Sequence, residues 1–166
     1  MDAARATPPS AALEPLLCND LYVASRAMTT LYRGLLAPFD LTYPQYLVLV
    51  VLWDVRTATV RQLADRLRLD YGTLTPLLQR LQARGLLTRE RSRTDERAVL
   101  VGLTTAGAEL QQRTAGVQPA VSEAIGLPAA EVTALQGALR ELTVRLGAPA
   151  GSRADVEKAV PAPSPG

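Results

Sequence analysis

The sequence of 166 residues contains no histidine, one cysteine (Cys18) and one lysine (Lys158). Without histidine, the chain has no histidine-based catalytic triad, no histidine metal ligand and no histidine pH switch. A single cysteine excludes an internal disulfide and a cysteine cluster for zinc or iron–sulfur. A single lysine close to the C-terminus leaves the folded part without a Schiff-base or phosphate-loop lysine. We therefore expect neither a metal nor a cofactor.

Long apolar runs are also missing. The longest, Tyr46–Trp53, has eight residues, whereas a helix needs roughly 18 to cross a membrane. The start of the chain, residues 1–12, is rich in alanine and proline and lacks the apolar core of a signal peptide. These features predict a cytoplasmic protein with no membrane association, where a reducing environment keeps Cys18 as a free thiol.

Acidic residues are scarce in the middle of the chain. Between Val55 and Val101, ten arginines face five acids, which gives a net charge of +5, while the remainder of the chain carries −3. A basic middle between acidic arms is typical of a protein that meets a polyanion with one subdomain. Charge alone leaves open the alternative of an arginine-rich surface with no such partner.

Apolar spacing predicts long helices on both sides of this basic segment. The first runs from about Glu14 to Ala37, and two more run from about Thr105 to Ile125 and from Pro128 to Leu146. In the first and last, apolar residues recur at intervals of three and four, which is typical of helices that pack on other helices. Residues 1–12 and 147–166 are predicted to be disordered tails, because they offer little apolar bulk.

Two capping boxes mark helix starts in the middle of the chain. Thr42–Gln45 precedes an apolar run that indicates a buried helix, and Thr59–Gln62 opens a shorter amphipathic one. A turn at Leu69–Gly72 leads to a further helix that ends at Gly85. This order of elements is the plan of a helix-turn-helix.

A hairpin follows the helix-turn-helix. Leu86–Arg91 and Ala98–Thr104 have the composition of strands, and the connection 92–97 is polar and charged. A hairpin with a basic tip in this position is a wing. The sequence therefore predicts a mainly α fold with a small β-hairpin wing, that is, a winged helix-turn-helix.

Four segments are distinctive: Leu17-Cys18, Leu41–Tyr46, Leu69–Pro76 and Asp95–Arg97. In these segments the sequence resembles the MarR family of winged-helix transcription factors, most closely its peroxide-sensing branch. The resemblance spans about residues 16–146. It implies a transcriptional repressor, not an enzyme, that binds a palindromic operator in double-stranded DNA as a homodimer.

The same resemblance implies that one domain, residues 13–146, contains a DNA-binding part and a dimerisation part. Residues 55–104 would form the DNA-binding lobe. Residues 13–38 and 105–146 would form an intertwined, all-helical dimerisation region.

The resemblance also implies a redox sensor. In the peroxide-sensing branch an organic hydroperoxide oxidises the N-terminal cysteine, here Cys18, and the repressor then leaves its operator. Tyrosines of the partner subunit bond that cysteine; Tyr32 and Tyr43 match them, and Tyr22 matches a third. For a chain with one cysteine, the resemblance implies that oxidation gives a sulfenic acid, which a low-molecular-weight thiol then caps.

The residues themselves leave alternatives open for this sensor. A cysteine in the first turn of a helix is favoured as a thiolate by the helix dipole, but a free cysteine is often a small buried hydrophobe. The tyrosines have the alternative of being core aromatics. Tyr32 follows Cys18 by fourteen residues, roughly 21 Å along a helix, so only an antiparallel partner helix would bring the two together.

Candidate DNA contacts lie on the second helix of the helix-turn-helix and on the wing. Arg93 and Arg97 flank Asp95, which would hold one arginine by a bidentate pair while an arginine enters the minor groove. For each candidate, an ordinary solvated position is the alternative. The remaining candidates for base or phosphate contact are Tyr71, Thr73, Thr75, Gln79, Arg84, Arg89 and Arg91.

Two other functions remain open at this point. In one, a regulator of the same family is released by a small phenolic ligand, and Cys18 is incidental. In the other, the chain is a thiol peroxidase with Cys18 as its reactive residue, although no peroxidase motif surrounds this cysteine.

Overall fold

The structure is a computed structural model, and it describes residues 16–91 and 98–147. By its internal contacts the chain divides into two units, with the boundary between Ala124 and Ile125. Most elements belong to the first unit, and the last helix belongs to the second. In chain order the elements are α1 (Leu17–Leu36), a 3-10 turn (Ala37–Phe39), α2 (Tyr43–Val55), β1 (Thr57–Thr59), α3 (Val60–Leu67), α4 (Tyr71–Ala83), β2 (Leu87–Arg91), β3 (Val99–Leu103), α5 (Thr105–Arg113), α6 (Val117–Ile125) and α7 (Ala129–Gly147).

The first helix begins at Leu17, later than the predicted start at Glu14. The backbone at Leu16 is extended (φ −95°, ψ 97°) and supplies no side-chain cap, so the helix does not continue through it. Glu14 itself lies outside the described residues. The buried side chains of α1 are Tyr32 and Leu36, whereas the residues of the predicted apolar stripe are exposed or half-buried in the single chain.

Helix α2 forms the centre of the core, as its apolar run predicted. Its capping box is present: the Thr42 amide donates to Gln45 Oε1 at 2.9 Å, and the Gln45 amide donates to Thr42 Oγ1 at 3.5 Å. Leu49 and Leu52 are completely buried. The indole N–H of Trp53 donates to the Gly107 carbonyl at 2.8 Å in the interior, which connects α2 to α5.

The sheet has three strands, one more than predicted. Its order is β1-β3-β2, with both pairs antiparallel. Ala58 and Arg89 both lie opposite Val101 on the central strand. Strands β2 and β3 lie within one residue of their predicted bounds, while Thr57–Thr59 also serves as the lead-in to α3, which concealed it in the sequence.

Gly107, on α5, lies where two backbones approach closely. A Cβ at this position would lie 1.9 Å from the Leu86 carbonyl oxygen. The approach is held by Thr104, whose hydroxyl donates to the Gly85 carbonyl at 2.6 Å and accepts from the Gly107 amide at 3.0 Å. A glycine is therefore required where α5 lies against the backbone of the connection between α4 and β2.

The predicted single helix from Thr105 to Ile125 is wrong, because the structure has two helices there. Helix α5 ends at Arg113, and α6 begins at Val117. Pro119 lies in the first turn of α6, where it lacks the N–H that would bond the carbonyl four residues earlier. At the end of α5, the Leu110 carbonyl accepts both the Thr114 hydroxyl at 2.9 Å and the Thr114 amide at 3.0 Å.

Helix α7 has no buried residue. Leu135, Leu139 and Leu146 of its predicted apolar seam are 53%, 39% and 75% exposed. Within the described residues no single helix is long and apolar enough to span a membrane; one bent pair, residues 17–39 with 43–55, reaches the required length and composition across a bend of 72°.

Candidate functional site

Cys18 lies in the first turn of α1, and its side chain is exposed. The Leu16 carbonyl accepts the Asn19 amide at 2.9 Å, so the amides before it point out of the helix end. Such an end carries a partial positive charge. Tyr22, one turn further, is also exposed, and the Arg26 guanidinium lies 5.6 Å from its ring centroid.

Three tyrosines from two helices come together at the other end of α1. The Tyr32 and Tyr43 rings are stacked with centroids 4.3 Å apart, and Tyr46 lies 5.9 Å from Tyr32. Tyr46 in turn meets Trp53 edge-on at 5.8 Å. We call Tyr32, Tyr43 and Tyr46 the tyrosine cluster. The capping box at Thr42 fixes the direction of α2 and so places two of the three rings against α1.

The hydroxyls of this cluster are available as hydrogen-bond donors. The Gln118 side-chain amide donates to the Tyr32 hydroxyl at 3.1 Å and to the Tyr46 hydroxyl at 3.3 Å. Burial, and to a smaller extent the neighbouring Tyr32, raise the pKa of Tyr43. A phenol with a raised pKa stays protonated at neutral pH and donates its proton to an acceptor.

The structure unites Tyr32 with Tyr43 and leaves Cys18 and Tyr22 elsewhere. Cys18 and Tyr32 are fourteen residues apart on one continuous helix, a distance of roughly 21 Å. Within one chain the candidate sensor is therefore in two parts: an exposed thiol at one end of α1 and the tyrosine cluster at the other.

The turn before α4 is held by an aspartate that sequence reasoning did not single out. Asp70 caps α4: one carboxylate oxygen accepts the Thr73 amide at 2.8 Å, and the other accepts the Thr73 hydroxyl at 2.9 Å. These two bonds hold the pKa of Asp70 below its usual value. Arg68, in the left-handed conformation at φ 54°, turns the chain between α3 and α4.

The predicted DNA contacts on α4 differ in how free they are. Tyr71, the first residue of α4, is 54% exposed, and Gln79 is also exposed. The Thr73 hydroxyl donates its hydrogen bond to Asp70, and Thr75 is half-buried. Tyr71 and Gln79 are therefore the polar side chains of α4 most available to a ligand among these four.

The three predicted phosphate contacts also have different surroundings. Arg84 is occupied within the chain: its guanidinium donates to the carbonyls of Asp40 and Phe39, the latter at 2.9 Å, and so ties the end of α4 to the turn after α1. The Arg89 Nε is enclosed and has no partner among the residues that the structure describes. Arg91 is exposed at the end of β2.

The wing tip lies outside the described residues. This applies to Arg93, Asp95 and Arg97, so their predicted contacts stay predictions. In the two described ranges, 16–91 and 98–147, no group of three or more acidic or cysteine side chains is arranged to hold a metal ion.

Comparison with known proteins decides the family. The family described as transcriptional regulator SarA/Rot matches residues 30–114. The organic hydroperoxide resistance transcriptional regulator of Bacillus subtilis is 49% identical over 105 residues, 63% of this chain and 71% of that protein. This chain belongs to the MarR/SarA family of winged-helix transcriptional regulators.

Other members of the MarR/SarA family extend the match over most of the chain. The HTH-type transcriptional regulator TtmR of Methylorubrum extorquens is 44% identical over 140 residues, 84% of this chain and 72% of that protein. Among solved structures, reduced AbfR of Staphylococcus epidermidis bound to DNA has a TM-score of 0.69 at 34% identity and covers 81% of this chain and 94% of its own. Since these relatives are regulators, the chain is a transcriptional regulator and not an enzyme.

Proposed function

We propose that this regulator is a dimeric repressor that binds a palindromic operator and senses organic hydroperoxides through Cys18. The observation that carries the proposal is the division of the sensor within one chain, with an exposed thiol at one end of α1 and the tyrosine cluster at the other. An antiparallel second copy would place each Cys18 beside the tyrosine cluster of its partner. The name of the Bacillus subtilis relative supports hydroperoxide as the signal.

The exposed leucines of α7 support the dimer. Leu135, Leu139 and Leu146 lie on a helix without a buried residue, and apolar side chains in such number gain from burial against another helix. We assign dimerisation to residues 13–38 and 105–146 and DNA binding to residues 55–104. In the DNA-binding part, Tyr71 and Gln79 would face bases, and Arg91, with the wing residues Arg93 and Arg97, would face phosphates or the minor groove.

In the proposed reaction the Cys18 thiolate attacks the terminal oxygen, the one that carries hydrogen, of the hydroperoxide. The S–O bond forms as the O–O bond breaks, so the cysteine loses two electrons and becomes a sulfenic acid. The alkoxide that leaves takes a proton from solvent and becomes an alcohol. A low-molecular-weight thiol then displaces water from the sulfenic acid and forms a mixed disulfide. The tyrosine cluster stabilises the thiolate before this step by hydrogen bonding, and loses that contact afterwards.

The matched pair of wild type and Cys18→Ser tests this function. The operator complex of wild type should dissociate when an organic hydroperoxide and a small thiol are added, and reductant should restore it. The complex of Cys18→Ser should form with similar affinity and stay intact. Release of Cys18→Ser by the same hydroperoxide would contradict the proposal, and release of both proteins by a phenolic compound alone would favour the ligand-controlled alternative.

The fate of the oxidised cysteine gives a second test of the same scheme. Two Cys18 residues that each face the partner's tyrosine cluster are too far apart for a disulfide, which needs Cα atoms within about 7 Å. After treatment with an organic hydroperoxide and a small thiol, mass analysis of the intact protein should therefore show one small thiol attached to each chain. A covalent dimer as the main product would contradict the antiparallel placement.

A further inference from the structure

Gln118 forms hydrogen bonds with two members of the tyrosine cluster, although nothing in the sequence pointed to it. It lies in the first turn of α6, which follows the break that Pro119 imposes. Its side-chain nitrogen is within 3.1 Å of the Tyr32 hydroxyl and 3.3 Å of the Tyr46 hydroxyl. These two rings are 7% and 3% exposed, and Gln118 is exposed in the cleft beside them.

The polarity of these two bonds determines what the hydroxyls do. A side-chain amide nitrogen carries two hydrogens and accepts none, so Gln118 gives one hydrogen to each phenol oxygen. Each hydroxyl then cannot donate its own proton to the Gln118 nitrogen, so the proton is available to another acceptor. Tyr43 stacks on Tyr32 at 4.3 Å, so one fixed ring also fixes the position of the next.

We propose that Gln118 is a positioning residue of the redox sensor: it holds the hydroxyls of Tyr32 and Tyr46 with their protons directed outward, ready to bond the partner's thiolate. This inference rests on the function proposed above and adds Gln118 and Tyr46 to the sensor. The amide does not touch the sulfur; it acts through the tyrosines. Because hydrogen bonds in a chain polarise one another, phenols that accept a bond from Gln118 are stronger donors.

Two substitutions distinguish donation from mere filling of space. Gln118→Met keeps the length of the side chain and removes both donated bonds. Gln118→Glu keeps the shape and reverses the polarity, since a carboxylate accepts protons from both hydroxyls and draws them away from the sulfur. Gln111→Met is the matched control, because Gln111 lines the same open cleft, about 610 Å³ in volume, as Gln118 and Tyr46.

The measurement is the rate at which cumene hydroperoxide oxidises Cys18, followed by loss of free thiol, with thermal melting as the check on folding. We expect roughly tenfold slower oxidation in Gln118→Met, which corresponds to about 1.4 kcal/mol in the barrier. Gln118→Glu should be slower still, and Gln111→Met should match wild type. Should Gln118→Met fail to fold, the Gln118→Glu protein carries the same comparison.

A double-mutant cycle separates positioning from a general structural role. Gln118→Met should have no further effect on the oxidation rate when Tyr32 and Tyr46 are both already phenylalanine, because the bonds that it removes are then absent. An equal slowing in both backgrounds would overturn the inference. So would wild-type rates in both Gln118 variants, and in that case the function would stand as long as Cys18→Ser stays unresponsive. Release of Cys18→Ser by hydroperoxide would overturn the function together with this inference.

Discussion

Leucines are buried in the region from α2 to β3 and exposed in the last helix, α7. We call the residues from α2 to β3 the first region. In the first region, Leu49, Leu63, Leu74 and Leu78 have no exposed surface. In α7 the leucines are exposed, and within the described part of that helix no residue is buried. The first region therefore supplies its own core from one chain, whereas the leucines of α7 stay exposed in the single chain.

The largest expected effect breaks the first region and leaves α7 intact. Gly107→Ala should destabilise the protein by about 3 kcal/mol, because the new Cβ would meet the Leu86 carbonyl oxygen at 1.9 Å. Gly137→Ala is its control in α7, where a Cβ meets nothing within 4 Å; it should stabilise by about 0.5–1 kcal/mol through helix propensity. Urea unfolding measures both. Equal stability of the two variants would mean that the approach at Gly107 is not rigid.

The next prediction breaks α7 and leaves the first region intact. Leu139→Glu should weaken the proposed dimer at least tenfold, because burial of a leucine contributes roughly 1.5–3 kcal/mol and a buried carboxylate costs more. Gln136→Glu, an exposed change on the same helix, introduces the same charge and should leave the dimer intact. Sedimentation equilibrium of the two proteins decides the matter. A monomeric wild type at micromolar concentration would remove the basis of this prediction.

A third pair of variants sharpens the description of the first region as a DNA-binding surface. Arg91→Ala should lower the slope of log affinity against log salt by about 1, as expected for one lost phosphate contact. Arg84→Ala should lower thermal stability instead, because its guanidinium binds the Asp40 and Phe39 carbonyls. Operator titrations at several salt concentrations and melting curves measure the two effects. A lower melting temperature for Arg91→Ala, or a smaller salt slope for Arg84→Ala, would contradict the assignment.

The smallest effect concerns the cap of α4 and its dependence on pH. The folded pKa of Asp70 lies below its usual value, so its contribution to stability is present above the unfolded pKa, about 3.9, and is lost as the pH falls through the folded one. Asp70→Asn keeps an acceptor at the cap without the charge. Its melting temperature should fall less than that of wild type between neutral and acidic pH. Parallel acid profiles would show that the charge has no role.

Local signals predicted the elements well, and contacts between distant segments were beyond them. The capping boxes at Thr42 and Thr59 are complete within four residues, so the sequence displays them in full, and the structure confirms both. Gly107 needs the backbone of Leu86, which lies 21 residues earlier, and Gln118 bonds a hydroxyl 86 residues away. Neither partner can be read from spacing along the chain.

The candidate site shows the same division. Tyr32 and Tyr43 were found because a resemblance names them, and the structure brings them together. Tyr46 and Asp70 lie inside segments that carry the resemblance, but it assigns neither of them a role, and Gln118 lies in no such segment. The break between α5 and α6 had a local signal in Pro119, but a single helix was predicted across it.

The bond from Trp53 to the Gly107 carbonyl gives the protein an optical reporter. Trp53 is the only tryptophan of the chain, and its indole lies inside the first region with Tyr46 edge-on at 5.8 Å. Its fluorescence therefore reports on that interior alone, free of signal from α7, and excitation energy absorbed by the nearby tyrosines passes to it. The proposed oxidation of Cys18 should therefore be detectable as a change in the emission of this one residue, without an attached dye.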